Sequence, residues 1–235
     1  MKKVLLTAAA VLSLTFVNAQ DLKSKKGEAY LPVAGDWAVS FNADGIFEYA
    51  GNAFNGNTNN SAPSVDFVTN NAFVGKKFIT DKMAYRVVAN LGFGASNDKI
   101  PTGANMTENK NSGFDLTAGL GKEWRKGSTR LQGFYGADAL VGFSSEKWSE
   151  TNNTVANGTY KAGTSINLGV NGFIGAEYFI FPKMSIGAQY NYGLQVAANG
   201  ASNYKVGTVE VKGKSSSNIN FGNVSSTSMN LTLHF

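Results

Sequence analysis

Beyond its first twenty residues the chain alternates between apolar and polar positions in eight segments. In the first, DWAVSFNADGIFEYA, Trp37, Val39, Phe41, Ala43, Phe47 and Tyr49 fall on one face. Ser40, Asn42, Asp44 and Glu48 fall on the other. A period of two marks a strand lying between unlike environments. The third segment sets Tyr85, Val87, Ala89, Leu91 and Phe93 against Arg86, Asn90, Gly92 and Gly94. The fourth sets Phe114, Leu116, Ala118, Leu120 and Trp124 against Asp115, Thr117, Glu123 and Arg125. In the fifth, Leu131, Tyr135, Ala137, Ala139, Val141 and Phe143 oppose Arg130, Gln132 and Asp138. The sixth and seventh carry the apolar rows Leu168 to Ile180 and Ile186 to Val196, and the last runs through Met229, Leu231, Leu233 and Phe235. The second segment, residues 66–79, fits two faces equally, one through Val68, Ala72, Val74 and Phe78, the other through Phe67, Phe73 and Ile79.

The connections alternate too. TDK, RKGS and FPK are tight, whereas the stretches near residues 51–64, 97–112, 145–161 and 198–220 are long and rich in Asn, Gly, Ser and Thr, and are expected to be loops. Soluble strands mostly run to about 5–6 residues, while a tilted strand needs ~9–11 to cross a bilayer. Backbone groups in lipid must be paired internally, so such a sheet has to close on itself. The pattern predicts an all-β fold, an eight-stranded antiparallel up-and-down transmembrane β-barrel over residues 35–235. Trp37, Tyr85, Trp124, Tyr178 and Phe235 fall on the outward face near the tight turns. Phe47, Tyr49, Phe93, Phe114, Phe143 and Tyr192 fall near the long connections. Two such belts suit the two membrane interfaces.

The N-terminus changes the compartment. Lys2 and Lys3, an apolar run from Val4 to Val17 and small residues around Ala19 have the order of a secretory signal peptide, expected over residues 1–19. The run is shorter than the ~20 apolar residues of a spanning helix. Residues 20–34 then form a periplasmic leader. Losing Lys2 and Lys3 lowers the formal charge from +5 to +3, and the remaining lysines are scattered except for Lys23, Lys25 and Lys26. That distribution gives no nucleic-acid footprint. With no cysteine, neither disulfides nor a lipidated N-terminal cysteine can form.

The signal peptide, the eight alternating segments and the terminal MNLTLHF together resemble the OmpA/OmpX-like family of small outer-membrane β-barrels. The resemblance covers the barrel and not the peptidoglycan-binding domain that some members carry. It implies localisation in a bacterial outer membrane and contact with its lipid. It also implies that Met229, Leu231, Leu233 and Phe235 are read by the barrel-insertion machinery during assembly.

Little in the sequence suggests catalysis. The one histidine, His234, is next to last, at the tight-turn end and on the inward face, away from any rim where a nucleophile could meet substrate. A lone histidine builds no zinc site, and no cofactor is expected. Arg86, Glu123, Arg125, Arg130 and Glu177 lie at one depth near the tight turns and are expected to cluster inside, with Asp44, Glu48, Asp115 and Asp138 making the opposite half more acidic. Paired, such charges make a fixed plug; switching, they make a gate. An eight-stranded barrel is just wide enough for its own side chains, which favours the plug. The expected function is non-enzymatic, a membrane-structural or surface-interaction role in which Trp148 and Tyr160 on the external loops contact a protein partner. A narrow porin-like channel is the alternative, and an accessory subunit of a larger outer-membrane complex a second.

Overall fold

The computed structural model describes residues 22–56, 73–102, 105–152, 155–222 and 228–235; the expected signal peptide lies outside them. Twelve strands appear among them: β1 (Trp37–Asn42), β2 (Phe73–Thr80), β3 (Met83–Thr102), β4 (Asn105–Lys126), β5 (Leu131–Asn152), β6 (Val155–Lys161), β7 (Ser165–Phe181), β8 (Met184–Asn199), β9 (Asn203–Val206), β10 (Val209–Lys212), β11 (Ser216–Gly222) and β12 (Ser228–His234). One helix, α1 (Asp44–Phe54), interrupts them. All pairings are antiparallel. Eight strands form a hydrogen-bonded ring in the order β1-β2-β3-β4-β5-β7-β8-β12, with β12 returning to β1.

The closing seam runs from Ala38 opposite His234 to Asn42 opposite Asn230. At its end Trp37 and Phe235 exchange two backbone hydrogen bonds, 2.8 and 2.9 Å long. Both rings point outward, 54% and 65% exposed. Inside the seam the hydroxyls of Ser40 and Thr232 lie 2.8 Å apart and buried. The alternation expected of the last strand is thus present, with Thr232 and His234 inside and Leu233 outside.

The structure corrects the expected loops. β3 and β4 pair without a break out to Thr102 opposite Asn105. β5 continues to Asn152 and pairs there with β6, which pairs with β9, and β9 with β10. β11 pairs with the far half of β8. The stretches near 97–112, 145–161 and 198–220 are therefore largely hydrogen-bonded sheet rising beyond the ring. Their Asn, Ser and Thr side chains obscure the period, because both faces are polar. A ladder already begun by the ring fixes the neighbouring strand, and each further pair adds cross-strand contacts.

The first segment is corrected as well. Its strand ends at Asn42, and Asp44 to Phe54 is helical, so Asp44, Phe47, Glu48 and Tyr49 do not continue the strand faces. Ile46, Phe47, Ala50 and Phe54 also recur at helical spacing, which leaves the period ambiguous. Asp44 sits in the first turn, where a carboxylate suits the helix dipole. It accepts the Met229 backbone N–H at 2.6 Å and the Asn42 amide at 2.9 Å, tying α1 to the seam.

β2 resolves the two-faced second segment within its described part. Lys76 and Phe78 turn inward and are buried, while Phe73 and Ile79 are exposed outside. The end of the leader and the two residues after it dock on the tight-turn end. Ala34 N–H reaches Asp81 at 2.9 Å, Gly35 N–H reaches Phe78 O at 2.9 Å, and Lys183 bonds Asp36 at 2.6 Å.

The seam makes a direct prediction. Thr232→Val keeps the shape of the side chain but strands the Ser40 hydroxyl, and is expected to cost about 1–3 kcal/mol. A urea midpoint in detergent checks this, and Ser40→Ala combined with Thr232→Val should recover part of the loss.

Candidate functional site

The inward faces of five ring strands converge on one cluster of charges. Lys76 comes from β2, Arg86 from β3, Glu123 and Arg125 from β4, Asp138 from β5 and Glu177 from β7. All six side chains are 0–4% exposed. Glu123 is the hub. Its carboxylate lies 2.9 Å from Lys76 Nζ, 2.8 Å from Arg86 Nη1 and 3.1 Å from Arg125 Nη1. Arg86 Nε is 3.2 Å from Asp138 Oδ1, and Arg125 Nη2 pairs with Glu177 Oε1. Three cations therefore meet three carboxylates.

Neutral groups complete the set. Arg86 donates to Gln189 Oε1 at 3.3 Å, and Arg125 Nε donates to Gln132 Oε1 at 2.9 Å. Rings fill the flanks: the Arg86 guanidinium lies 3.8 Å from the Phe173 centroid, and Lys76 Nζ lies 5.1 Å from that of Phe134. Such contacts keep a desolvated cation favourable where water is absent. Room for these side chains comes from inward glycines. A Cβ at Gly136 would meet the Phe173 ring at 2.5 Å, and one at Gly175 would run into the Phe134 ring.

Below the cluster, Phe78 and Phe179 pack on His234, with centroids 5.8 and 5.1 Å from its ring. The three close the tight-turn end of the interior. His234 Nε2 is 3.3 Å from Ser185 Oγ, and Ser185 also donates to Glu177 at 3.3 Å. A serine beside a histidine invites a nucleophile–base reading, but a working pair has its acid on the other imidazole nitrogen. Here the carboxylate lies on the serine side, His234 Nδ1 has no partner among the described residues, and both side chains are buried.

Above the cluster lies a cavity of about 320 Å³, lined by amides and hydroxyls that include Asn42, Asn90, Asn171, Gln195 and Asn230. Asn171 Nδ2 donates to Asn191 at 3.2 Å. Its Oδ1 is buried with no partner among the described residues, and so offers an acceptor to the cavity.

Of the five residues expected to cluster, Arg86, Glu123, Arg125 and Glu177 do so and Arg130 does not. Its guanidinium sits 3.6 Å from the Tyr30 centroid, because its position just before β5 places it under the leader. Asp138, expected in the acidic half, belongs to the cluster through Arg86. Asp115 remains on the long-hairpin side, exposed and bonded by Asn90 at 3.3 Å. Asp44 and Glu48 leave the interior face for α1. Lys76 went unforeseen because the period of its segment was ambiguous. Phe134, Phe173 and Phe179 went unforeseen because inward positions were expected to be polar. Outside, Trp37, Tyr85 and Trp124 are exposed, Tyr178 is half-buried, and Trp124 stacks on Tyr135 at 5.8 Å. Trp148, Tyr160 and Tyr204 form a cross-strand row over β5, β6 and β9.

No protein-family model matches the chain, and no curated protein matches it in sequence.

Removing the hub leaves three buried cations short of a partner. Glu123→Ala is therefore expected to destabilise the fold by about 3–5 kcal/mol. Arg130→Ala, which loses one partly exposed ring contact, should cost roughly 1 kcal/mol or less. Unfolding midpoints of the two variants check the contrast; equal losses would contradict it.

Proposed function

We propose that the chain is an eight-stranded transmembrane β-barrel of a bacterial outer membrane, non-enzymatic, with a plugged lumen. Its role is structural or lies in surface interaction through the extended hairpins. One observation carries the reading: the polarity is inverted. The large apolar side chains stand exposed on the outer face of the ring, among them Leu120 at 69%, Ile174 at 64% and Phe93 at 72%, while the charges are inside. Soluble monomers rarely expose contiguous apolar patches beyond a few hundred Å². In lipid the same face is the solvated one. On β5 the outward positions run Tyr135, Ala137, Ala139, Val141 and Phe143, a stretch of membrane-crossing length. No helix among the described residues is long and apolar enough to span a bilayer.

The N-terminal export pattern and the alternating terminal strand support the same assignment. Trp37, Tyr85, Trp124, Tyr178 and Phe235 then mark the periplasmic interface, and Met229, Leu231, Leu233 and Phe235 serve the insertion machinery. The ion-paired cluster, sealed below by Phe78, Phe179 and His234, favours a plug. The cavity above it, lined in part by Lys76, Arg86, Asp138 and Glu177 of the cluster, favours the second reading, a narrow channel.

Two measurements test the proposal. In detergent the protein should give β-type circular dichroism and a gel mobility that shifts on heating; a monomer that stays soluble in water without detergent would refute the membrane assignment. In planar bilayers the plug predicts no steady conductance. Discrete channels whose size changes with Arg86→Ala would replace the plug with the channel.

A further inference from the structure

The sheet that rises beyond the ring has two unlike faces. On the face continuous with the interior, Asp98 and Glu150 flank Asn109 in one cross-strand row, and Trp148, Tyr160 and Tyr204 occupy the next. The opposite face continues the outward apolar band and is basic. There Lys147 lies directly opposite Lys161, Lys161 opposite Asn203, and Asn203 opposite Lys212. In the adjoining row Lys110 lies opposite Ser149, Thr159 opposite Lys205, and Lys205 opposite Glu210. All five lysines are exposed.

Like charges directly opposite each other on antiparallel strands destabilise a sheet. Nothing on this face offsets Lys147 and Lys161: among the described residues neither has an acidic partner within 4 Å, nor do Lys205 and Lys212. The two carboxylates nearby are otherwise engaged. Glu108 lies 3.2 Å from Lys110, and the Asn97 amide together with Lys110 holds it below the usual carboxylate range. Glu210 accepts from the Asn203 amide at 2.7 Å. A cross-strand repulsion left standing in a polar hairpin points to an anion that relieves it.

Depth identifies that anion. Lys147 stands four residues beyond Phe143 on the same face of β5, about 14 Å along the strand. Phe143 and its cross-strand neighbour Ile166, both exposed, close the apolar band there. On a tilted strand the lysine ammonium groups come level with the headgroups, and their methylene stems can cover the edge of the apolar band. Basic residues at that depth attract anionic lipid.

We propose that Lys147, Lys161, Lys205 and Lys212 form a binding site for the anionic phosphate headgroups of outer-leaflet lipids. The site rests on the membrane reading above. Its arrangement, across four strands on one face, holds the ammonium groups around a phosphate more rigidly than a flexible loop would.

The test uses the folded protein in vesicles of phosphatidylcholine mixed equally with phosphatidylglycerol, extracted gently, with retained lipids counted by native mass spectrometry. The wild type should retain phosphatidylglycerol over phosphatidylcholine by about fivefold or more. K147Q/K161Q/K212Q should retain the two equally, and K23Q/K25Q/K26Q in the leader should behave as wild type. An undiminished preference in the first triple variant would overturn the site, as would no preference in an inserted wild type. A preference erased by millimolar inorganic phosphate at constant ionic strength would assign the lysines to a free anion instead. Failure of the wild type to insert into phosphatidylcholine vesicles, seen as loss of the heat-shifted gel band, would overturn the membrane reading and the site with it.

Discussion

Glu123 is bonded to Lys76, Arg86 and Arg125, all within 3.1 Å and almost wholly buried. Around that carboxylate three consecutive ring strands are held together, since its partners stand on β2, β3 and on β4 itself. A ring of backbone hydrogen bonds fixes only neighbours. Ion pairs between inward side chains also fix strands that are not paired with each other, as Arg86 on β3 does with Asp138 on β5. Burying these charges is unfavourable unless each is matched, and three cations against three carboxylates meet that condition. The phenylalanines beside the guanidinium groups replace water without adding charge.

The same constraint explains the composition of the inward face. Large side chains from opposite walls cannot all fit within eight strands, so glycines stand where a neighbour's ring or head must pass. Gly136 facing Phe173 and Gly175 facing Phe134 are the clearest cases. Read alone, an inward glycine resembles weak strand propensity; beside its cross-strand neighbour it is the complement of a bulky residue.

Beyond the ring the constraint relaxes and the sheet becomes two-faced in charge. Pairing continues because each strand offers the next an open row of donors and acceptors. With water on at least one side, side chains there are free of the packing that selects residues inside. Aromatic groups with Asp98 and Glu150 then gather on one face, and the lysines with Glu108 and Glu210 among them on the other, which gives the extension two surfaces of different chemistry.

The sequence by itself determined the all-β character, the outward apolar rows, the end of the interior at which His234 lies, and the depth of Arg86, Glu123, Arg125 and Glu177. These are legible because a strand's period is fixed by its backbone, and depth follows from counting residues from a turn. Tertiary structure decided what the period could not carry. Lys76 and the inward phenylalanines depend on neighbours several strands away. Asp138 joins the cluster and Arg130 leaves it because pairing register and the docked leader set their partners. α1 replaces the end of a strand whose residues satisfy both periods, with Asp44 holding the backbone of β12. The polar stretches become sheet because hydrogen bonding to an established neighbour needs no apolar pattern, and such pairing is invisible to a reading that follows hydrophobicity.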